Sequence, residues 1–113
     1  MNLVDIEEQF NKTYGFAALR SKTIALWLEV VTNADNSFLS EERDKLPDGV
    51  NFSDLGIEYK RTHLILNDTN RTKPYFRLYL ELLHPTTSRQ MFWYEVEYDI
   101  DGNFSDEFFG YYD

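Results

Sequence analysis

Residues 75–100, YFRLYLELLHPTTSRQMFWYEVEYDI, decide the fold. Phe76, Leu78, Leu80 and Leu82 alternate with Tyr75, Arg77, Tyr79 and Glu81, the period of two that sends successive side chains to opposite faces of a strand. Beyond the turn-forming HPTTSR, the same split recurs, with Phe92, Tyr94, Val96, Tyr98 and Ile100 set against Trp93, Glu95, Glu97 and Asp99. Two strands so joined pair antiparallel, with one apolar face and one wet face.

Working outward, the alternation extends to residues 57–66 and 104–111, giving strands at 57–66, 75–83, 91–100 and 104–111. NDTNRTKP joins the first two, and DGN is a tight hairpin turn between the last two. A sheet with one apolar face needs a cover, and the N-terminal segment supplies it. Leu3, Ile6 and Phe10 fall at helical spacing behind Asp5, Glu7 and Glu8, in a short amphipathic helix ending near Gly15. In TIALWLEVVTN, Ile24, Trp27, Leu28 and Val31 again fit a helix with Ser21 as its cap, although the β-branched content of 21–33 also suits a buried strand. Ser40, Glu41 and Glu42 cap one more short helix before a turn at Pro47, Asp48 and Gly49. The expected architecture is α+β, N-terminal helices packed on one face of a four-stranded antiparallel β-meander, as a single domain over residues 1–113.

Hydrophobic residues make up 42% of the chain and aromatics 17%, too much for a disordered tail, so the formal charge of −9 sits on a folded protein. A field of that sign repels phosphate backbones and anionic lipid, and steers cationic partners inward. Nucleic acid and membrane are therefore not expected as direct partners. The absence of cysteine rules out disulfides and thiolate metal sites and fits a reducing compartment; with no secretory signal pattern at MNLVDIEEQF, the chain reads as cytoplasmic. The charge is also polarised: residues 57–89 hold six basic and three acidic side chains, whereas 90–113 hold seven acidic and no basic ones, with nine of the 19 aromatics.

Three kinds of chemistry compete for that acidic stretch. Asp99, Asp101, Asn103 and Ser105 are spaced like the start of a calcium loop, but such a loop needs Gly at its sixth position and Glu at its twelfth, and here Gly102 is fourth and Gly110 twelfth. A hairpin turn explains the same letters, and no metal or other cofactor is expected. For catalysis, His63 and His84 would have to converge across the first two strands to serve as acid and base. Glu95 and Glu97, on one strand face about 7 Å apart, are a carboxylate pair of the kind a glycosidase uses. No nucleophile elbow, zinc motif, P-loop or dinucleotide turn accompanies them, so no catalytic residue is assigned and an enzyme is not expected. The third reading is a binding surface. Trp93, Glu95, Glu97, Asp99 and Glu107 form its centre, Tyr79 and Asp106 lie toward the rim, and Arg77 flanks Tyr79 on the neighbouring strand. A plainer alternative packs Trp93 under a helix and leaves the acids to keep an edge strand soluble.

A small, acidic, cysteine-free chain ending in WYEVEYDIDGNFSDEFF resembles the immunity proteins of bacterial toxin systems, including those of contact-dependent growth inhibition. The resemblance lies in size, composition and the character of residues 91–109. It implies a cytoplasmic, non-enzymatic inhibitor that blocks the active or substrate-binding surface of a cognate basic toxin domain, with a nuclease as the expected toxin. Two other readings stay open: an acidic nucleic-acid mimic that inhibits a DNA- or RNA-binding protein, and a small hydrolase using His63 and His84.

Overall fold

The computed structural model describes residues 1–34 and 37–112. Two helices, α1 (Leu3–Tyr14) and α2 (Phe16–Thr32), precede three short 3-10 turns and four strands, β1 (Gly56–Ile65), β2 (Tyr75–Leu83), β3 (Gln90–Tyr98) and β4 (Phe104–Tyr111). The strands form one antiparallel sheet in the order β1-β2-β3-β4, and the helices pack on one face of it. This is the α+β meander expected from the alternation in residues 75–100.

Asn2 starts α1 through a capping box. Its side chain accepts from the Asp5 amide at 3.0 Å, and the Asp5 carboxylate accepts from the Asn2 amide at 3.1 Å. Gly15, at φ 61°, ends α1 in the left-handed region and is also the residue from which α2 departs. Residues 21–33 are therefore helical as far as Thr32, but Ser21 does not cap the helix. The left-handed glycine joins the helices directly and leaves Ser21 inside α2. Leu19, Thr23 and Trp27, spaced by four, are the buried line of α2, with Ile24 and Val31 half-buried beside it and Leu28 in solvent. The fully buried Thr23 hydroxyl donates to the Leu19 carbonyl at 2.9 Å, so it accepts from the Tyr98 hydroxyl at 2.7 Å and ties α2 to β3.

The single helix expected after Ser40 is instead two 3-10 turns, Phe38–Glu41 and Arg43–Lys45, and Ser37 is the cap, accepting from the Leu39 amide at 3.2 Å. Within these two turns only Leu39 is buried, too little apolar surface to hold a longer helix. Between the helical layer and the sheet, Trp27 lies 5.2 Å from the Tyr94 ring and 5.9 Å from that of Phe109, while Phe52 meets Phe92 at 5.5 Å. The inner residues of β2 and β3, from Phe76 to Leu82 and from Phe92 to Tyr98, complete the core. Ile100 is not among them. β3 ends at Tyr98, and Asp99 turns the chain by accepting from the amides of Asp101 (2.9 Å) and Asn103 (3.0 Å), with Gly102 at φ 80°. Among the described residues no helix is long and apolar enough to cross a membrane.

Candidate functional site

The face of the sheet turned away from the helices is not the wet surface that alternation suggests. Glu81, Glu95 and Glu97 all point there, yet they are 5%, 7% and 1% exposed. A buried carboxylate survives only if it is paired, and here the acidic β3 finds its cations on β1, β2 and the loop between them. Glu97 accepts from Arg71 Nη1 and Nη2 (3.2 and 3.4 Å), from Arg77 Nε (3.0 Å) and from Ser105 Oγ (3.1 Å). Burial alone would raise its carboxyl, but the hydrogen bonds from Arg71, Arg77 and Ser105 outweigh that and hold it below the usual carboxylate range. Glu95 sits 3.6 Å from Arg77 Nη1 and 2.9 Å from His63 Nδ1. Glu81 takes a hydrogen bond from Gln90 at 2.7 Å and lies 3.8 Å from Lys60.

The loop before β2 is shaped to deliver Arg71. Asn67 turns the chain at φ 57°, and Asp68 then accepts from the Asn70 amide (2.9 Å) and the Tyr75 hydroxyl (2.6 Å). That Tyr75 bond, with the Asn70 amide behind it, holds the Asp68 carboxyl below its ordinary range. Arg71 reaches Glu97 from this frame with its guanidinium 4.2 Å from the Tyr75 ring.

Alongside the ion pairs runs an aromatic row. Tyr79 and Trp93 stack with ring centroids 6.0 Å apart, and the guanidinium of Arg61 caps Tyr79 at 4.6 Å. The Tyr79 hydroxyl is bonded to that of Tyr112. On the other side of Trp93, β4 presents Gly110, where a Cβ would fall 2.4 Å from the indole ring. Arg77 covers Phe108 at 4.4 Å. Trp93 is thus half-buried and held on both flanks, and among the described residues no helix packs on this face.

Of the residues expected at a binding surface, Trp93, Tyr79, Arg77, Glu95, Glu97 and Asp106 do share the outward face. Glu95 and Glu97 do not form an exposed acidic row, because their carboxylates are consumed internally. Asp99 belongs to the hairpin turn. Glu107 is on the opposite face: it pairs with Val96, so it points toward the helices, where it is half-buried near Tyr94. Strand alternation forbids adjacent Asp106 and Glu107 from sharing a face. Arg61, His63, Arg71, Phe108 and Tyr112 were missing from the expected surface. The signal for the basic ones was the charge polarity itself, a cationic half next to an anionic half in one small chain.

The histidines do not converge. His63 is opposite Arg77 and His84 lies seven residues further along the chain from Arg77, which is about 23 Å of strand. Arg61 Nε donates to His63 Nε2 at 2.8 Å, so His63 donates from Nδ1 to Glu95. His84 Nδ1 accepts from the amides of Thr86 (3.2 Å) and Thr87 (3.3 Å) and shapes the β2-β3 turn. The two imidazoles are thus held apart in separate hydrogen-bonding roles, and Glu95 and Glu97 are both engaged as salt-bridge acceptors. Among the described residues no three His, Cys, Asp or Glu side chains gather as metal donors. Comparison of the chain with protein-family models, curated proteins and solved structures finds no match.

Proposed function

We propose that this chain is a non-enzymatic protein-binding module that neutralises a basic partner, as expected for a cytoplasmic immunity protein acting on a cognate toxin domain. The observation that carries the reading is the uncovered Tyr79–Trp93 stack, pinned against Gly110 and flanked by Arg61 and Arg77. Trp, Tyr and Arg are the residues in which binding energy concentrates, and side chains held in place before contact lose little entropy on binding. Internal pairing changes the part that charge plays. The centre of the face contributes shape and aromatic contact, while the net charge of −9 and the acids of the β3-β4 hairpin, Asp99, Asp101 and Asp106, steer a cationic surface toward it.

The nucleic-acid mimic draws less support, because Arg61, Arg71 and Arg77 interrupt any phosphate-like run of carboxylates on this face. Co-purification of the tagged protein with the product of the gene immediately upstream, at low and at high salt, tests the proposal. A stoichiometric basic partner that associates more slowly at high salt, and whose toxicity in cells is relieved by co-expression, is the expected result. A partner that is acidic, or a complex indifferent to salt, would count against it.

A further inference from the structure

We infer that the open face carries a pH switch at His63, whose protonation breaks its bond with Arg61 and frees the guanidinium that caps Tyr79. Arg61 Nε donates to His63 Nε2 at 2.8 Å, and His63 Nδ1 lies 2.9 Å from Glu95 Oε2. A guanidinium keeps its protons throughout the pH range of a folded protein, so Nε2 is the acceptor and Nδ1 the donor, the arrangement of a neutral imidazole. A further proton has only Nε2 to go to. There it meets the Arg61 N–H donor against donor and sets two cations in contact. The His63 side chain is 38% exposed, so that proton reaches it directly from solvent.

The surroundings decide which partner leaves. Glu95 is buried, and its cations among the described residues are His63 and Arg77; Arg77 is 3.6 Å away and is shared with Glu97 at 3.0 Å. A charged His63 gives Glu95 an ion pair of its own and stays in place. The other groups facing the imidazole are Arg77, its cross-strand partner on β2, and the Tyr79 ring at 6.0 Å, with Glu97 and Arg71 paired beyond Arg77. Lys60, the adjoining cation of β1, is engaged with Glu58 and Glu81. Arg61 has no carboxylate among the described residues and is held by the His63 nitrogen and by the face of Tyr79 at 4.6 Å. Its release strips one flank from the Tyr79–Trp93 stack, whose other flank is Gly110. Binding through Trp93 is therefore tight at neutral pH and weakens in mild acid, the range in which histidine changes charge.

That consequence rests on the reading of this face as the partner site; the switch itself is tested without the partner. The whole chain is titrated from about pH 8 to about pH 5 while the His63 ring, the Arg61 Nε–H, the Tyr79 ring and the Trp93 indole are followed by NMR. One common midpoint is expected, with the Arg61 Nε–H signal lost below it. None of these changes is expected in His63→Gln, which offers a donor and an acceptor but does not titrate. In Arg61→Met the His63 midpoint should rise, because the cation opposing its proton is gone. An Arg61 signal that persists through the His63 midpoint, the same changes in His63→Gln, or an unmoved midpoint in Arg61→Met overturns the inference. Its failure is distinguishable from that of the proposed function. A basic partner bound through Trp93 with equal affinity on both sides of the His63 midpoint overturns the switch and leaves the inhibitor reading standing. Release of Arg61 in the free chain, without any basic partner, does the reverse.

Discussion

The indole of Trp93 lies against the backbone of Gly110, so close that a Cβ on residue 110 would sit 2.4 Å from its ring carbons. The obstacle is a rigid ring already stacked on Tyr79, so neither side yields easily. Gly110→Ala is expected to push the indole off its seat and lower stability by roughly 1–3 kcal/mol, as overpacking does. Thermal melts and the Trp93 indole resonance check this, and an unmoved resonance with unchanged stability would contradict it.

Glu97 is the most thoroughly enclosed charge of the outward face, at 1% exposure, and Arg71 and Arg77 converge on it. Glu97→Gln takes the anion from Arg71 and leaves Arg77 with Glu95 alone, and is expected to cost about 3 kcal/mol, the lower end for breaking a buried pair because the arginines keep some contact with water. The pH dependence follows from a folded-state carboxyl held below its unfolded value. The stabilisation is fully present above the ordinary glutamic acid range of about 4.3 and is lost as pH falls through the lower folded value. Urea melts of both proteins should differ at neutral pH and converge in acid; a constant difference across pH would argue against the ion pairs.

Glu107 behaves in the opposite sense. Burial, helped by the charges of Asp106 and Glu29, pushes its carboxyl up against the opposing hydrogen bond from the Tyr94 hydroxyl, so the folded state favours the protonated form. Stability from this group is fully present below the unfolded value and is lost as pH rises through the folded one. Glu107→Gln should therefore stabilise the protein at neutral pH by less than about 1 kcal/mol, because solvent screens a half-exposed carboxylate, and make no difference in acid. A loss of stability at neutral pH would contradict this.

The hairpin acids are expected to act on rate. Asp101→Asn with Asp106→Asn removes two charges at or near the rim of the face while the Asp99 bonds that form the turn stay in place. Stopped-flow association with the basic partner should become slower and less salt-dependent, with dissociation little changed. An effect confined to dissociation would move these residues from steering into direct contact.

How much of this was legible beforehand depends on the range over which each feature is set. The alternation in residues 75–100 is local, and it carried the sheet, the core of β2 and β3, and the shared face of Trp93, Tyr79 and Arg77. The union of Arg71 with Glu97 is not local, since it spans 26 residues and depends on strand register and on the Asp68 turn that presents Arg71. Periodicity alone therefore made Glu95 and Glu97 look solvated. The assignment of Glu107 to the outward face could have been avoided from the sequence, because Asp106 and Glu107 are adjacent on one strand. The cap of α2 was obscured by a helix junction only one residue long at Gly15, where the usual polar cap gives way to a left-handed glycine.

The central claim is that the open sheet face, anchored by Trp93, is where the partner binds. The affinity of the co-purified basic partner for wild-type protein and for Trp93→Ala, measured by titration at one low salt concentration, tests it most directly. A loss of about 2 kcal/mol or more, roughly 30-fold in Kd, with the variant still folded, is the predicted result. An unchanged Kd would place the partner elsewhere on the molecule and contradict the account.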